Sequence, residues 1–144
     1  MEKYIKDLTT IIRDCNMENT YKMSWVRSLV ESSVKHPQKK HIHFNDLSPL
    51  IFKYYWNQTL FFNLNQGPNP LKKPEIHQIV LEEIDKYQKN FGYKPEFYTR
   101  VQDRINIDIE KISKTLEKDV SHRFLKVGKK EYPIFEKLEF SCSK

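Results

Sequence analysis

The stretch from residue 47 to residue 62 most constrains how this chain can fold. It is apolar or aromatic at most positions and contains the consecutive aromatics Tyr54, Tyr55 and Trp56. Asn45 and Asp46 precede it as helix-capping residues, and a proline in the first turn of a helix is tolerated. A helix that is apolar around most of its circumference must be buried on most sides. The sequence therefore predicts a central helix that the rest of the chain surrounds.

Four other stretches show the three- and four-residue spacing of amphipathic helices. They are predicted at residues 2–15, from Asn19 or Thr20 to about Val34, from Pro74 to Gly92, and from about Glu96 to Asp119. The last has a narrow apolar seam in an otherwise charged surface. We expect an all-α domain of about five helices spanning residues 1–144. Residues 120–144 read as a linker-like tail with a minor β-hairpin that turns at Gly128.

Composition excludes several classes of protein. Charged residues make up 31% of the 144 residues, and no apolar run is long enough to cross a bilayer. The N-terminus has early acids and no apolar core of a secretory signal. Cys15 and Cys142 lack the spacing of a redox or zinc site. We expect free thiols in the cytoplasm, although a disulfide between them stays open.

Positive charge is concentrated between residues 35 and 73. This segment has six lysines against one acid, Asp46, which accounts for most of the formal charge of +6. The lysines are Lys35, Lys39, Lys40, Lys53, Lys72 and Lys73. Concentrated cations suit phosphate binding, because neutralising phosphates releases counterions. A solubilising loop is the alternative. His41, beside these lysines, adds charge in mildly acidic solution.

Asn57 and Gln58 follow the three consecutive aromatics. Asparagine and glutamine can read adenine in the major groove, and aromatic rings can stack on bases. The alternative is that the aromatics fill the core while Asn57 and Gln58 bond to nearby backbone. Both interpretations stay open at this stage.

No complete catalytic or metal site is recognisable. His41 and His43 flank one residue, but a zinc site needs three or four ligands. No phosphate-binding glycine motif, hydrolase serine motif or metalloprotease motif occurs among only 3 glycines and 5 histidines. We expect no catalytic residue, no metal and no cofactor in this chain.

Short strings along residues 16–90 carry a family resemblance. They are NTYKMSW at 19–25, IHFNDL at 42–47, YYWNQT at 54–59, FF at 61–62, QG at 66–67 and KPEI at 73–76. In order and spacing they resemble the N-terminal region of bacterial HNH endonucleases of the restriction type. The resemblance implies duplex DNA as partner, restriction or antiviral defence as the setting, and a ββα-metal nuclease domain further along.

The chain departs from that family in its chemistry. An HNH nuclease needs a histidine base, a metal-binding histidine and an asparagine on a ββα unit. His43 precedes a predicted helix and His122 stands alone. We expect either a truncated form or a standalone relative without the nuclease.

The function expected is therefore a non-catalytic DNA-binding or specificity domain of an HNH-type nuclease. Its partners would be double-stranded DNA and a nuclease domain or partner protein, with no membrane. The alternative is a protein-interaction module, such as a small regulator, a dimerisation domain or a phage-encoded inhibitor. Homo-oligomerisation stays open.

Overall fold

The computed structural model describes residues 2–14, 19–62, 74–120, 126–127 and 129–131, and this part of the chain is almost entirely helical. The helices are α1 (Glu2–Asp14), α2 (Asn19–Lys35), α3 (Phe44–Phe62), α4 (Glu75–Phe91), α5 (Tyr98–Val101) and α6 (Ile109–Thr115). A 3-10 turn, Gln102–Arg104, follows α5, and a π-helical turn, Leu116–Val120, continues α6. The predicted all-α class is confirmed.

Two short strands follow the helices. They are β1 (Lys126–Val127) and β2 (Lys130–Glu131), which pair antiparallel with Lys126 opposite Glu131. Gly128, the predicted turn residue, and residues 132–144 of the predicted tail lie outside the described residues.

Helix α3 is the centre of the fold, as its sequence predicts. It contacts α2, α4, α5 and α6. Phe52, Tyr55 and Trp56 are completely buried. The ring of Trp56 meets that of Tyr87 edge-on, with centroids 5.5 Å apart, and its indole N–H donates to the carbonyl of Glu96 at 3.0 Å. The consecutive aromatics therefore fill the core on several sides of one helix.

Helix α3 begins three residues earlier than predicted. The Asp46 carboxylate accepts a hydrogen bond from the backbone N–H of His43 at 3.0 Å, which satisfies a donor that the helix start leaves open. Pro49 consequently lies in the second turn rather than the first. The cap explains the earlier start, because it fixes the chain at His43.

Helices α2 and α3 run parallel to each other where they are in contact. The rings of Trp25 and Phe44 are 6.2 Å apart at one end, and Glu31 bonds to Lys53 further along both helices. The connecting residues 36–43 must therefore run back beside the helices. Ten residues of α2 rise about 15 Å, and eight extended residues can span about 27 Å, so the return is easily covered.

The side of α2 that faces the core carries serines. Ser24, Ser28 and Ser32 are buried there together with Trp25. Ser28 Oγ donates to the carbonyl of Ser24 at 2.6 Å. Because serine is small, α2 can lie close to its neighbour without large interdigitating side chains.

The predicted fifth helix is broken, and this prediction was wrong. The chain leaves the helical conformation at Ile105, which has φ −116° and ψ 131°, and α6 starts only at Ile109. Ile105 and Ile107 both pack against the core at the two-residue spacing of an extended segment. Asp108 then caps α6 by accepting from the Lys111 N–H at 3.0 Å.

The end of α4 is as predicted. Gly92 has φ +102°, a conformation that favours glycine, and its N–H donates to the carbonyl of Gln88 at 2.9 Å. A hydrogen bond joins α6 to α3, because Ser113 Oγ donates to Asn45 Oδ1 at 2.7 Å.

Candidate nucleic-acid interface

Residues 35–41, called the basic loop below, form the end of α2 and the start of its connection to α3. Every residue of the loop is exposed, and it contains three lysines, two histidines and no acid. Two backbone bonds of 3.0 Å shape it, from His36 N–H to Ser32 and from Lys39 N–H to His36. A shallow depression of about 490 Å³ lies along it, lined by Lys35, His36, Pro37, Gln38 and Lys39.

Lys39 is held against the start of α3. Its Nζ lies 2.7 Å from Asp46 Oδ2, the carboxylate that also caps the helix. Burial alone would raise the pKa of Asp46, but the hydrogen bonds from Lys39 and from the His43 backbone hold that pKa below its ordinary value. Asp46 therefore stays ionised, and it partly neutralises the loop.

Lys35 and Lys53 share one acid on α2. The Glu31 carboxylate lies 2.8 Å from Lys35 Nζ and 2.7 Å from Lys53 Nζ, and it also accepts from the Tyr54 hydroxyl. The guanidinium of Arg27 lies 4.5 Å from the centroid of the Tyr54 ring. We call these five residues the Glu31 cluster, which contains three cations and one carboxylate.

The cluster keeps its carboxylate charged. Burial raises the pKa of Glu31, and the hydrogen bonds from Lys35 and Lys53 outweigh that effect, so that the net pKa is lowered. Only 17% of the Lys53 side chain is exposed, compared with 55% for Lys35. The geometry thus gives Lys53 a role in joining α2 to α3, whereas Lys35 remains accessible.

Lys40 and His41 complete the basic loop. Both are exposed, and within the described ranges neither has a hydrogen bond or ion pair. Lys40 is therefore the loop cation whose charge is least compensated.

Asn57 and Gln58 lie half-buried in α3. Asn57 Oδ1 accepts a hydrogen bond from the backbone N–H of Tyr98 at 2.9 Å, and so it holds the start of α5. Gln58 Oε1 is buried and has no partner among the described residues. This placement favours the structural interpretation of Asn57 over base readout. Lys72 and Lys73, the remaining predicted contacts, lie outside the described residues.

The structure also identifies charged residues that sequence reasoning missed. Glu31 lies 22 residues from Lys53 in the chain, so no local pattern links them. Its four-residue spacing to Lys35 was a usable signal for the other ion pair. Arg27 was missed because no local pattern links it to Tyr54, which lies 27 residues further along the chain.

Among the residues that the structure describes, no group of three or more histidines, cysteines and acids is arranged to hold a metal ion. No helix in the same ranges combines the length and apolar character needed to cross a bilayer.

The chain has no match among protein-family models, curated proteins or solved structures. The resemblance to HNH endonucleases therefore stays a prediction from the sequence.

Proposed function

We propose that this chain is a non-catalytic DNA-binding module whose basic loop contacts the phosphate backbone. The observation that carries the proposal is the uninterrupted exposure of residues 35–41. Lys35, Lys39 and Lys40 lie within this run, and it contains no acid. Phosphate contacts position a protein on a duplex without reading its sequence.

The two acids beside the loop give it a defined shape. Glu31 holds Lys35 and Asp46 holds Lys39, each at less than 3 Å. A phosphate that approaches the loop competes with these carboxylates for the lysines. Binding is accordingly modest and strongly dependent on salt, with a slope of log affinity against log salt of about −3 if three lysines contact phosphates.

The setting is inferred from the sequence resemblance at residues 16–90. In that setting the module docks on DNA in the cytoplasm, and an HNH-type nuclease domain or partner protein supplies the cleavage chemistry. Incubating the chain with plasmid DNA and Mg²⁺ tests the non-catalytic part. Intact plasmid is the expected result, and cleavage that survives repurification would contradict it.

The direct test is a salt titration of duplex binding, followed by fluorescence anisotropy. Lys39→Glu combined with Lys40→Glu should weaken binding and reduce the salt slope by about one for each lysine. The matched control is Lys86→Glu with Lys89→Glu, which makes the same charge change on α4. Both control lysines are well exposed and paired with acids of their own helix.

Two outcomes would reject the proposal. One is the absence of duplex binding at low salt. The other is an equal loss of affinity in the α4 control, which would mean that only the total charge matters.

A protein-interaction module is the second candidate function. The observation that favours it is an exposed apolar face on α2, formed by Met23, Val30 and Val34. The two functions use different surfaces and can therefore be tested separately.

A further inference from the structure

The solvent side of α2 is unusually apolar. Met23, Val30 and Val34 expose 60%, 58% and 74% of their surface, respectively. Their spacing of seven and four residues places them on one stripe, with the exposed Arg27 between them. We call these four residues the α2 face. Scattered apolar residues are ordinary on a surface, but a continuous stripe marks an interaction site.

The arrangement of α2 is the reverse of that in α4. Helix α4 buries apolar residues, including Ile76, Val80 and Ile84, and exposes charged ones. Helix α2 instead buries Ser24, Ser28 and Ser32 beside Trp25, while Val30 and Val34 face solvent. Packing among the residues that the structure describes therefore gives no reason for the apolar residues of the α2 face.

The charged residues on and beside the α2 face indicate the kind of surface that would bind it. Arg27 is its only charged residue, and no carboxylate in the described part of the chain is paired with it. The Glu31 cluster borders one edge of the face, where Lys35, Lys53 and the Glu31 carboxylate together leave one net positive charge. A complementary surface needs apolar side chains along its centre and an acid opposite Arg27.

A second copy of this chain does not meet that requirement. In an isologous pairing each α2 face meets an identical one, which has no carboxylate to place opposite Arg27, and the neighbouring Glu31 is already engaged by Lys35 and Lys53. An arginine left without a carboxylate in an apolar interface is unfavourable. The face therefore fits a different protein better than it fits itself.

We propose that the α2 face docks an amphipathic helix of a partner protein, with apolar residues at helical spacing and an acidic flank that pairs with Arg27. Met23, Val30 and Val34 bury against the apolar stripe of that helix, so that the two helices pack side by side. The proposal does not depend on DNA binding, because the basic loop is not part of the face.

The test uses two synthetic helical peptides of 18 residues and the full chain. Both peptides carry leucines spaced by three and four residues; one has glutamates on the flank and the other has lysines. Anisotropy of the labelled peptides measures binding. The acidic peptide should bind and the basic one should not. Val30→Ser with Val34→Ser should weaken binding by at least about 100-fold.

Arg27→Glu gives the sharper result, since it should reverse the preference so that the basic peptide binds better. Ile5→Ser is the matched control, because Ile5 is also exposed, at 56%, but lies on α1. It should leave binding unchanged. The substituted valines are exposed, so circular dichroism should report unchanged folding for every variant.

Three outcomes would overturn the proposal. They are equal binding of both peptides, no binding of the acidic peptide below millimolar concentration, and binding that the valine substitutions do not change. A dimer detected by light scattering and lost in the valine variant would identify a second copy as the occupant and would also overturn it.

Discussion

The Nζ of Lys39 lies 2.7 Å from the Oδ2 atom of Asp46, which ties a cation of the basic loop to the first turn of α3. The same carboxylate oxygen accepts the His43 N–H at 3.0 Å. One acid thus caps the helix, orders the loop and offsets part of its charge. These three effects can be separated by substitution.

Asp46→Asn should tighten DNA binding. An asparagine keeps an acceptor for the His43 N–H but loses the charge that holds Lys39. The affinity should rise at each salt concentration because phosphate no longer competes with Asp46 for Lys39, while the slope should stay near that of the unmodified chain, since Lys39 is already one of the three contacting lysines. Salt titrations of duplex binding measure both quantities. Asp85→Asn, which frees Lys89 on α4 by the same change, should leave the affinity as it was. An unchanged affinity in Asp46→Asn would mean that Lys39 is not at the interface.

Glu31→Gln should lower stability at neutral pH by about 1 kcal/mol, because it replaces charged hydrogen bonds to lysines with neutral ones. The folded-state pKa of Glu31 is lowered, so its contribution is complete above the ordinary carboxyl range and is lost as pH falls through the lowered value. The difference in the free energy of unfolding between Glu31→Gln and the unmodified chain should therefore become smaller towards pH 3. Urea unfolding at several pH values measures it.

Glu82→Gln is the control for that series, since Glu82 is an exposed acid of α4. The free energy of unfolding of Glu82→Gln should differ little from that of the unmodified chain at every pH. A deficit in Glu31→Gln that stays constant down to pH 3 would show that the ion pairs do not produce it.

Asn57→Ala should destabilise the fold and leave DNA binding unchanged. The substitution removes the acceptor of the Tyr98 N–H, and an unsatisfied buried donor costs about 1–3 kcal/mol. Asn57→Asp keeps an oxygen in place and should cost less. Thermal unfolding and duplex binding are measured on the same samples. A selective loss of DNA affinity with unchanged stability would instead support base readout by Asn57.

Ser28→Val should be destabilising although it places an apolar residue at a buried position. Ser28 is completely buried, so the larger side chain of valine has to displace neighbouring atoms, and overpacking costs about 1–3 kcal/mol. Ser28→Ala fits the same space and should change the free energy of unfolding by less than about 1 kcal/mol. A stabilised Ser28→Val variant would indicate spare volume beside α2.

The helices that could be predicted are those whose apolar period agrees with their final environment. Helix α4 was placed to within one residue at each end, because its periodicity and Gly92 agree, and α3 was placed apart from its first three residues. The break at Ile105 was not predicted, since Val101, Ile105, Ile109 and Ile112 fit a helical seam as well as they fit the observed extended segment. Only packing against the core decides between the two.

The residues of the candidate site also differ in how well the sequence predicted their surroundings. Residues 35–41 are exposed, as their lysine-rich composition predicts. Lys53 was grouped with the same lysines in the sequence, but in the structure it is partly buried. A count of lysines treats Lys53 and Lys40 alike, but Glu31 reaches one of them and not the other. Such pairing joins residues that are distant in the chain, and therefore it depends on tertiary structure. For Asn57 the sequence left two interpretations, and the bond to Tyr98 favours one.

The serines on the inner side of α2 have a consequence for how that helix is oriented about its own axis. If burial of apolar surface alone set the orientation, a rotation of about half a turn would bring Met23, Val30 and Val34 inside and turn the serines out. Trp25, the partly buried Val26 and Leu29, and the bonds of Glu31 to Lys53 and Tyr54 oppose that rotation. The rotational setting of α2 is thus fixed by the apolar side chains around Trp25 together with one carboxylate, and substitution of Trp25 or Glu31 should change which face of the helix is exposed to solvent.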